Sequence, residues 1–124
     1  KQKQKDDLHD LWRDVLLSRW GRNCMAKGMG NMRCSRVLQA HHIYPKAVRP
    51  SMRFDLDNGI IVCSAHHGIW IHQAMPVEIA AWIGIVCDRP RLARLALRAS
   101  MRTTQKVDLE ATRLYLEQEL KRVS

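Results

Sequence analysis

The sequence predicts an α+β fold in which a two-stranded antiparallel hairpin and a following helix are flanked by an N-terminal helix and a C-terminal set of helices. Apolar residues recur at helical spacing near both ends of the chain, and two short segments rich in β-branched residues lie between them. The chain has 124 residues, of which 46% are apolar, so a single domain over residues 1–124 is expected. Five of the six histidines lie between His41 and His72, around the predicted hairpin.

The N-terminal helix is predicted by an apolar stripe that ends at Gly21, a residue that commonly stops helices. The stripe consists of Leu8, Leu11, Trp12, Val15 and Leu16. The following segment, residues 21–37, contains Gly28 and Gly30 together with Cys24 and Cys34, and this composition predicts an irregular loop.

The central hairpin is predicted from two short segments. Residues 37–43 are expected to form the first strand and residues 45–58 a basic connection. Residues 60–62 are β-branched and follow an Asn-Gly pair, which predicts the second strand. A helix is expected over residues 64–73.

The rest of the chain is helical in pattern. Residues 77–87 are apolar on most faces, which predicts a helix buried against the core, and the pair Arg89-Pro90 is expected to break it. A helix over residues 91–102 carries a row of arginines that either forms a solvated face or contacts phosphates. The row consists of Arg91, Arg94, Arg98 and Arg102. Asp108 is expected to cap a last helix that runs to Val123.

The net charge of +9 and the pI of about 10 favour a polyanionic partner, and nucleic acid is the commonest one for a small basic protein. The alternative is a merely basic surface. No apolar run is long enough to cross a bilayer and no secretory signal is visible, so a cytoplasmic protein without membrane contact is expected. In such a compartment the four cysteines favour metal binding over disulfides.

Histidine both binds metals and titrates near neutral pH, so the density of histidines indicates a metal-dependent active site. His42, Asn58 and His67 follow one another in the order strand, connection, helix, and this arrangement resembles the HNH, or ββα-metal, nuclease family. The resemblance covers residues 24–75 and leaves residues 76–124 as a helical C-terminal extension. The segments around Leu11-Trp12 and residues 38–43 and 54–60 look like those of small bacteriophage and prophage HNH proteins.

The resemblance implies a metal-dependent DNA endonuclease that hydrolyses phosphodiester bonds. His42 would be the general base and Asn58 would orient it, so these two are the expected catalytic residues. His41, His67 and His72 would bind one catalytic divalent metal, which would be Mg, Mn, Ni or Zn. His72 lies five residues after His67, an interval that requires a helix end or a bulge to put both on one face.

A second metal site is expected by comparison with the two Cys-x-x-Cys knuckles that hold a structural zinc in many HNH proteins. Here Cys63 and His66 occupy the second knuckle, while Cys24 is followed at the third position by a lysine, so the fourth ligand would be Cys34. The alternative is three free thiols and a solvent-facing His66. Cys87 is expected to be a buried thiol, and His9 is expected to lie away from the histidine cluster.

Three basic residues of the connection, Lys46, Arg49 and Arg53, are expected to contact DNA phosphates or to remain solvated loop charges. A rival hypothesis is a catalytically inactive, zinc-stabilised DNA-binding module of the same fold. An RNA substrate is not distinguished from DNA by the sequence. The helical tail could contact DNA, a second copy in a homodimer, or a larger phage protein complex.

Overall fold

The computed structural model describes residues 1–101 and 106–123, which form an α+β fold with a two-stranded antiparallel hairpin. Its helices and strands are α1 (Gln2–Trp20), β1 (Leu38–His42), β2 (Gly59–Cys63), α2 (Ile71–Gln73), α3 (Pro76–Val86), α4 (Arg89–Ser100) and α5 (Leu109–Val123). A π-helical turn, His66–Trp70, leads directly into α2. Within the described residues, no helix is long and apolar enough to cross a membrane.

The N-terminal helix α1 forms as predicted and ends at Gly21, whose φ of 96° suits glycine. Its apolar stripe packs against α5 and one face of the hairpin. The buried members of this first core include Leu8, Trp12, Val15, Leu16, Ala40, Phe54, Leu56, Ile61 and Leu116. Asp108 caps α5 by accepting a hydrogen bond from the backbone N–H of Ala111, as the sequence predicted.

The hairpin separates two hydrophobic cores. Its register pairs Leu38 with Cys63 at one end and His42 with Gly59 at the other. Successive side chains of a strand point to opposite faces, and Ile61 accordingly joins the first core whereas Ile60 and Val62 join the second. Strand β2 is therefore buried on both faces, and this central position makes it a rigid support for residues at its ends.

Helix α1 lies so close to the hairpin that only glycine fits at position 59. A Cβ atom added to Gly59 would lie 2.6 Å from Cζ2 of Trp12, well inside normal contact distance. Gly59 of the Asn-Gly pair that predicted the second strand is thus required by packing and not by a turn, since its backbone is extended. The close approach also places the α1 residues near His42, which pairs with Gly59 across the hairpin.

The helix predicted over residues 64–73 is present. Within it, the five residues His66–Trp70 form a π-helical turn, and Ile71–Gln73 continue as an α-helix. A π-turn closes its hydrogen bonds over five residues instead of four, and the Ile71 N–H bonds to the His66 carbonyl accordingly. Side chains five residues apart therefore share a face.

The expectation that residues 77–87 are buried against the core holds for Trp82 and Cys87 and is wrong for the rest of the segment. In α3 only Trp82 is fully buried, while Val77 and Ile85 are 73% and 80% exposed. The helix contacts the second core along one narrow stripe, since Trp82 packs edge-on against Trp70 and donates a hydrogen bond to the Met25 carbonyl. The high mean hydropathy of this segment does not indicate how much of the helix surface is covered by other elements.

The first arginine of the α4 row is buried against the connection that precedes β2. Arg91, which is only 5% exposed, donates hydrogen bonds to the backbone carbonyls of Asp57 and Gly59. The predicted break before Arg89-Pro90 is present, since α3 ends at Val86 and these two residues form the first turn of α4 behind the Asp88 cap. The helix is thereby fastened to the end of the connection that precedes β2.

Two further arginines of this row form ion pairs with acidic residues of the same connection. Arg94 binds Asp57 at 3.0 Å, and Arg98 binds both Asp55 and Asp57. Arg94 and Arg98 remain 49% and 39% exposed, so they are solvated and paired at once, whereas the buried Arg91 is not part of a solvated face. Arg102 falls outside the described residues.

Candidate metal centre and histidine pocket

Four side chains converge into one compact group, as the sequence predicted. The ligand atoms of Cys24, Cys34, Cys63 and His66 all lie within 4.8 Å of one another. The sulfur atoms lie 3.8, 3.7 and 3.1 Å from Nδ1 of His66 in the order Cys24, Cys34, Cys63. Tetrahedral zinc with Zn–S near 2.3 Å and Zn–N near 2.0 Å requires S···N separations of roughly 3.5 Å. The group could therefore hold a metal ion such as zinc.

The ring orientation of His66 supports metal binding. Its Nε2 lies 3.0 Å from the Met29 carbonyl and donates a hydrogen bond to it, which leaves the Nδ1 lone pair directed at the three sulfurs. One lone pair cannot accept hydrogen bonds from three thiols at once, whereas a single ion at the centre would bind all four groups. A carbonyl partner on the remote nitrogen is also the usual support of a metal-bound imidazole.

The loop that carries the first two cysteines is shaped by glycines. Gly28 and Gly30 have φ values of 88° and 67°, a region that other residues rarely adopt. Gly30 also lies against Trp70, where an added Cβ would be 2.5 Å from the ring. The loop is tied to the end of β2 because Ser35 bonds to Ser64 through their hydroxyls at 2.6 Å. These contacts bring Cys24 and Cys34 to Cys63.

Two thiols of this group, those of Cys34 and Cys63, have strongly shifted pKa values. Burial acts to raise the pKa of Cys63, but hydrogen bonds from the backbone N–H of His66 and from Ser35 outweigh it and lower that pKa to about 5. Partial desolvation, then the neighbouring Cys24 and Cys63, raise the pKa of Cys34 to about 11. A thiolate at Cys63 is the form that binds metal. Neighbouring thiols oppose each other's ionisation, and a bound cation would offset the repulsion between the negative sulfurs.

A second cluster, which we term the histidine pocket, is a cavity of about 600 Å³ beside the hairpin. His41 and His42 from β1 and His67 from the π-turn line it. The rings of His41 and His67 lie edge to face with their centroids 5.5 Å apart. Nδ1 of His67 donates to Oε1 of Gln39 at 2.8 Å, which leaves its Nε2 with a free lone pair.

His42 is held firmly within this pocket. Its Nε2 donates a hydrogen bond of 2.8 Å to the Arg53 carbonyl, so its Nδ1 carries the lone pair in the neutral ring. The ring stacks on Trp12 with centroids 4.4 Å apart and planes 14° apart. The Trp12 indole is in turn fixed by a hydrogen bond to the Asp55 carbonyl. Both the orientation and the tautomer of His42 are therefore determined by its surroundings.

The imidazoles of the pocket favour the neutral form. Burial, followed by the charges of His67, His42 and His72, lowers the pKa of His41 to about 4. Burial also lowers the pKa of His42, although the hydrogen bond to the Arg53 carbonyl acts in the opposite direction. Neutral imidazoles can accept protons or bind metals, which protonated rings cannot do.

The π-turn provides the bulge that the interval between His67 and His72 requires. Because residues five apart share a face in a π-turn, His72 comes close enough for its charge to lower the pKa of both His67 and His41. His72 is exposed, however, and in the described part of the chain only the Cys3His group brings three ligand atoms within 4.8 Å. His41, His67 and His72 are neighbours, without the compact arrangement of that group.

Asn58 is completely buried behind the pocket, where its side chain links backbone segments that lie apart in the sequence. Its side-chain oxygen accepts from the Tyr44 N–H, and its amide donates to the carbonyls of Tyr44 and Met52. Tyr44 follows directly on the strand that carries His41 and His42. Asn58 thus connects the end of β1 to the connection, and it has no contact with the cavity itself.

The three basic residues of the connection occupy different positions. Lys46 lines the histidine pocket. Arg49 instead donates to the carbonyls of Ala99 and Val48, and the Arg53 guanidinium lies 5.2 Å from the Phe54 ring. Within the described residues the buried Nε of Arg53 has no hydrogen-bond partner. Only Lys46 lines the pocket that holds the histidines.

The sequence interpretation missed two pocket residues of α1. His9, expected to lie away from the cluster, lines the pocket together with Arg13, and its ring centroid is 5.9 Å from that of His42. A signal was present, since His9 precedes the stripe residue Trp12 by three positions and so shares its helical face. Gln39, which holds His67, was missed because strand glutamines have no distinctive pattern.

Comparison with known proteins adds no assignment: no family model, curated protein or solved structure matches this chain. The class of site rests on geometry alone. The chain carries a Cys3His group that could hold a metal ion such as zinc, and beside it an open pocket lined by neutral histidines.

Proposed function

We propose that this chain is a metal-dependent DNA endonuclease of the HNH type, with His42 as the general base. The observation that carries the proposal is the placement of His42. Its Nε2 donates a hydrogen bond to the Arg53 carbonyl, and its ring stacks on Trp12. Nδ1 is therefore the basic atom of this ring, which lines the histidine pocket. A base held in one orientation and one tautomer is what proton abstraction from water requires.

In the proposed reaction, Nδ1 of His42 takes a proton from a water molecule as the water oxygen attacks phosphorus. The bond between phosphorus and the 3′ oxygen breaks, and the leaving oxygen takes a proton from solvent water, which leaves a 5′-phosphate and a 3′-hydroxyl. His42 is suited to this step because burial lowers its pKa and keeps the ring neutral before the reaction. Asn58 supports the step indirectly by holding the chain that follows β1.

His41 and His67 would hold the catalytic metal, with His72 as a third ligand. The donor set fits a divalent cation: both rings favour the neutral form, and the hydrogen bond from His67 to Gln39 leaves Nε2 free to bind. When bound, such an ion would stabilise the charge that develops on the phosphate and on the leaving oxygen. Zn, Ni and Mn suit imidazoles better than Mg does.

The Cys3His group would serve a separate, structural role. With three cysteines and one histidine it supplies all four ligands of tetrahedral zinc and leaves no position open for substrate. His66 and His67 are adjacent, so an ion bound to His66 would also support the turn that carries His67. DNA binding is favoured by the net charge of +9 and by Lys46 at the pocket.

A plasmid-nicking assay tests this proposal. The purified protein is incubated with supercoiled DNA and Mg²⁺, Mn²⁺, Ni²⁺ or Zn²⁺ in turn, and we expect nicking with at least one ion. His42→Ala should reduce the rate by at least about 100-fold, because loss of a general base typically costs 10²- to 10⁴-fold. The matched control is Val37→Ala, an exposed side chain just before β1 that should leave the rate unchanged.

Metal-independent cleavage, or undiminished cleavage by His42→Ala, would contradict the proposal. The second candidate is an inactive DNA-binding module, which is favoured by the fact that the Cys3His group is the more compact of the two clusters. Salt-sensitive DNA binding with bound zinc, but no cleavage with any ion, would support this module instead.

A further inference from the structure

Helix α1 contributes a fourth imidazole to the histidine pocket. His9 is half-buried, lines the same cavity as His41, His42 and His67, and lies with its ring centroid 5.4 Å from that of Trp12. The contact between α1 and the hairpin is rigid, since Trp12 fills the space above Gly59. His9 therefore has a fixed place at the pocket wall and is not a mobile surface side chain.

The hydrogen-bonding groups of His9 are unused. In the part of the chain that the structure describes, His42 and His67 each have one ring nitrogen hydrogen-bonded within the protein, whereas His9 makes ring contacts only. A half-buried imidazole has one N–H donor to satisfy, and the cavity is the place where a partner can approach it. The other α1 residue at this wall, Arg13, forms only loose ion pairs with Asp10 and Asp14.

We propose that His9 is a further catalytic residue that donates a hydrogen bond to a non-bridging oxygen of the scissile phosphate. This inference rests on the proposed nuclease function. A phosphate seated next to His42 lies within reach of the wall formed by His9 and Arg13, and both groups supply donors to an anion. The contact would strengthen as negative charge builds on the phosphate oxygens in the transition state.

Two variants separate a hydrogen-bonding role from a packing role. His9→Phe keeps a flat ring beside Trp12 but has no donor, whereas His9→Gln loses the ring but keeps an N–H donor. We expect His9→Phe to lower kcat by about 10- to 100-fold with little change in the Kd for DNA, and His9→Gln to retain more activity. The control is Gln4→Ala, an exposed α1 residue outside the pocket, which should behave as wild type.

A phosphorothioate substrate provides a readout that a structural role would not move. Sulfur at the contacted non-bridging position accepts hydrogen bonds poorly, so it should slow the wild-type protein more than it slows His9→Phe. Equal slowing of both proteins, or the order of activity reversed so that His9→Phe exceeds His9→Gln, would overturn the assignment of His9.

The outcomes also separate this inference from the function on which it rests. If the wild-type protein cleaves and His42→Ala does not, while His9→Phe cleaves at the wild-type rate, only the role of His9 is refuted. If the wild-type protein fails to cleave with every ion, the nuclease proposal and the role of His9 are both refuted. Thermal melts of both His9 variants verify that each remains folded.

Discussion

At the scale of single residues, the backbone directs the two side chains of each adjacent histidine pair to different partners. His41 and His42 occupy consecutive positions of β1, so one ring faces His67 and Trp82 while the other stacks on Trp12. His66 and His67 are separated in the same way by the π-turn, with His66 directed at the thiols and His67 at Gln39. Identical side chains thus meet different partners one residue apart.

Asn58 offers a test at this scale. Replacing it with alanine leaves the Tyr44 N–H and two buried carbonyls without their partner, so we expect Asn58→Ala to lower the free energy of unfolding by about 2 to 4 kcal/mol. Asn58→Asp should be at least as destabilising, because a carboxylate cannot donate to the carbonyls of Tyr44 and Met52. Urea denaturation measures both values.

A suitable control for this experiment is Asn23→Ala, since Asn23 is exposed in the loop after α1. Its free energy of unfolding should stay within about 0.5 kcal/mol of wild type. Equal stability of Asn58→Ala and wild type would show that the three hydrogen bonds do not hold the chain behind the pocket.

At the scale of elements, α4 is attached to the connection by ion pairs and not by apolar contact alone. Hydrogen bonds from Arg94 lower the pKa of Asp57, although burial acts to raise it, and Arg98 contributes in the same direction as Arg94. The side chain of Asp57 is only 13% exposed, so solvent screens these pairs less than it screens the ion pairs on the surface of α1. Helix α4 thus holds in place the connection that leads into β2.

The depressed pKa of Asp57 predicts a pH dependence of stability. Because the folded-state pKa lies below the unfolded value of about 3.9, the contribution of Asp57 is fully present above that value and disappears as the pH falls through the folded pKa. Asp57→Asn should therefore be less stable than wild type at pH 7, and the difference should shrink below about pH 4. Urea denaturation between pH 2.5 and 7 measures it.

The exposed ion pair of Lys3 and Asp7 serves as the comparison, because Asp7→Asn should change stability little at any pH. A difference between wild type and Asp57→Asn that stays constant down to the lowest pH would contradict the assigned role of the pairs with Arg94 and Arg98.

At the scale of the whole molecule, the Cys3His group joins segments that hydrogen bonds of Ser35 to Ser64 and of Trp82 to the Met25 carbonyl also hold in place. It connects the loop after α1 with the end of β2 and the π-turn, and the short 3-10 turn of that loop, Met29–Asn31, contributes no buried residue. A loop with few buried apolar groups needs another source of order, and a bound ion can provide it. The histidine pocket depends on the same π-turn.

Metal removal tests this role. We expect about one zinc per chain by elemental analysis, and a chelator should lower Tm by about 10 °C or more, since a structural ion contributes several kcal/mol. Cys34→Ser should lose the metal and reproduce the lowered Tm. Cys87→Ser is the matched control, because Cys87 is buried in the second core outside the group. Retention of zinc by Cys34→Ser would contradict the proposed ligand set.

Several elements followed from local pattern. The apolar stripe, the β-branched segment and the aspartate cap predicted α1, β2 and α5 within a few residues, because each pattern reports on neighbours three to five positions away. The exposure of α3 and the pairing of Arg91, Arg94 and Arg98 with the connection were not predictable in this way. The partners of these arginines, Asp55, Asp57 and Gly59, lie more than thirty residues earlier in the chain.

The sequence by itself determined the α+β arrangement and the types of ligand that could meet, since spacing governs which side chains share a face. Three cysteines and His66 converge as the sequence predicted. Only the tertiary structure decided which histidine receives which partner, that the π-turn aligns His67 with His72, and that His9 of α1 belongs to the pocket. The physical reason is that burial, stacking and hydrogen bonds across the hairpin arise from segments far apart in sequence.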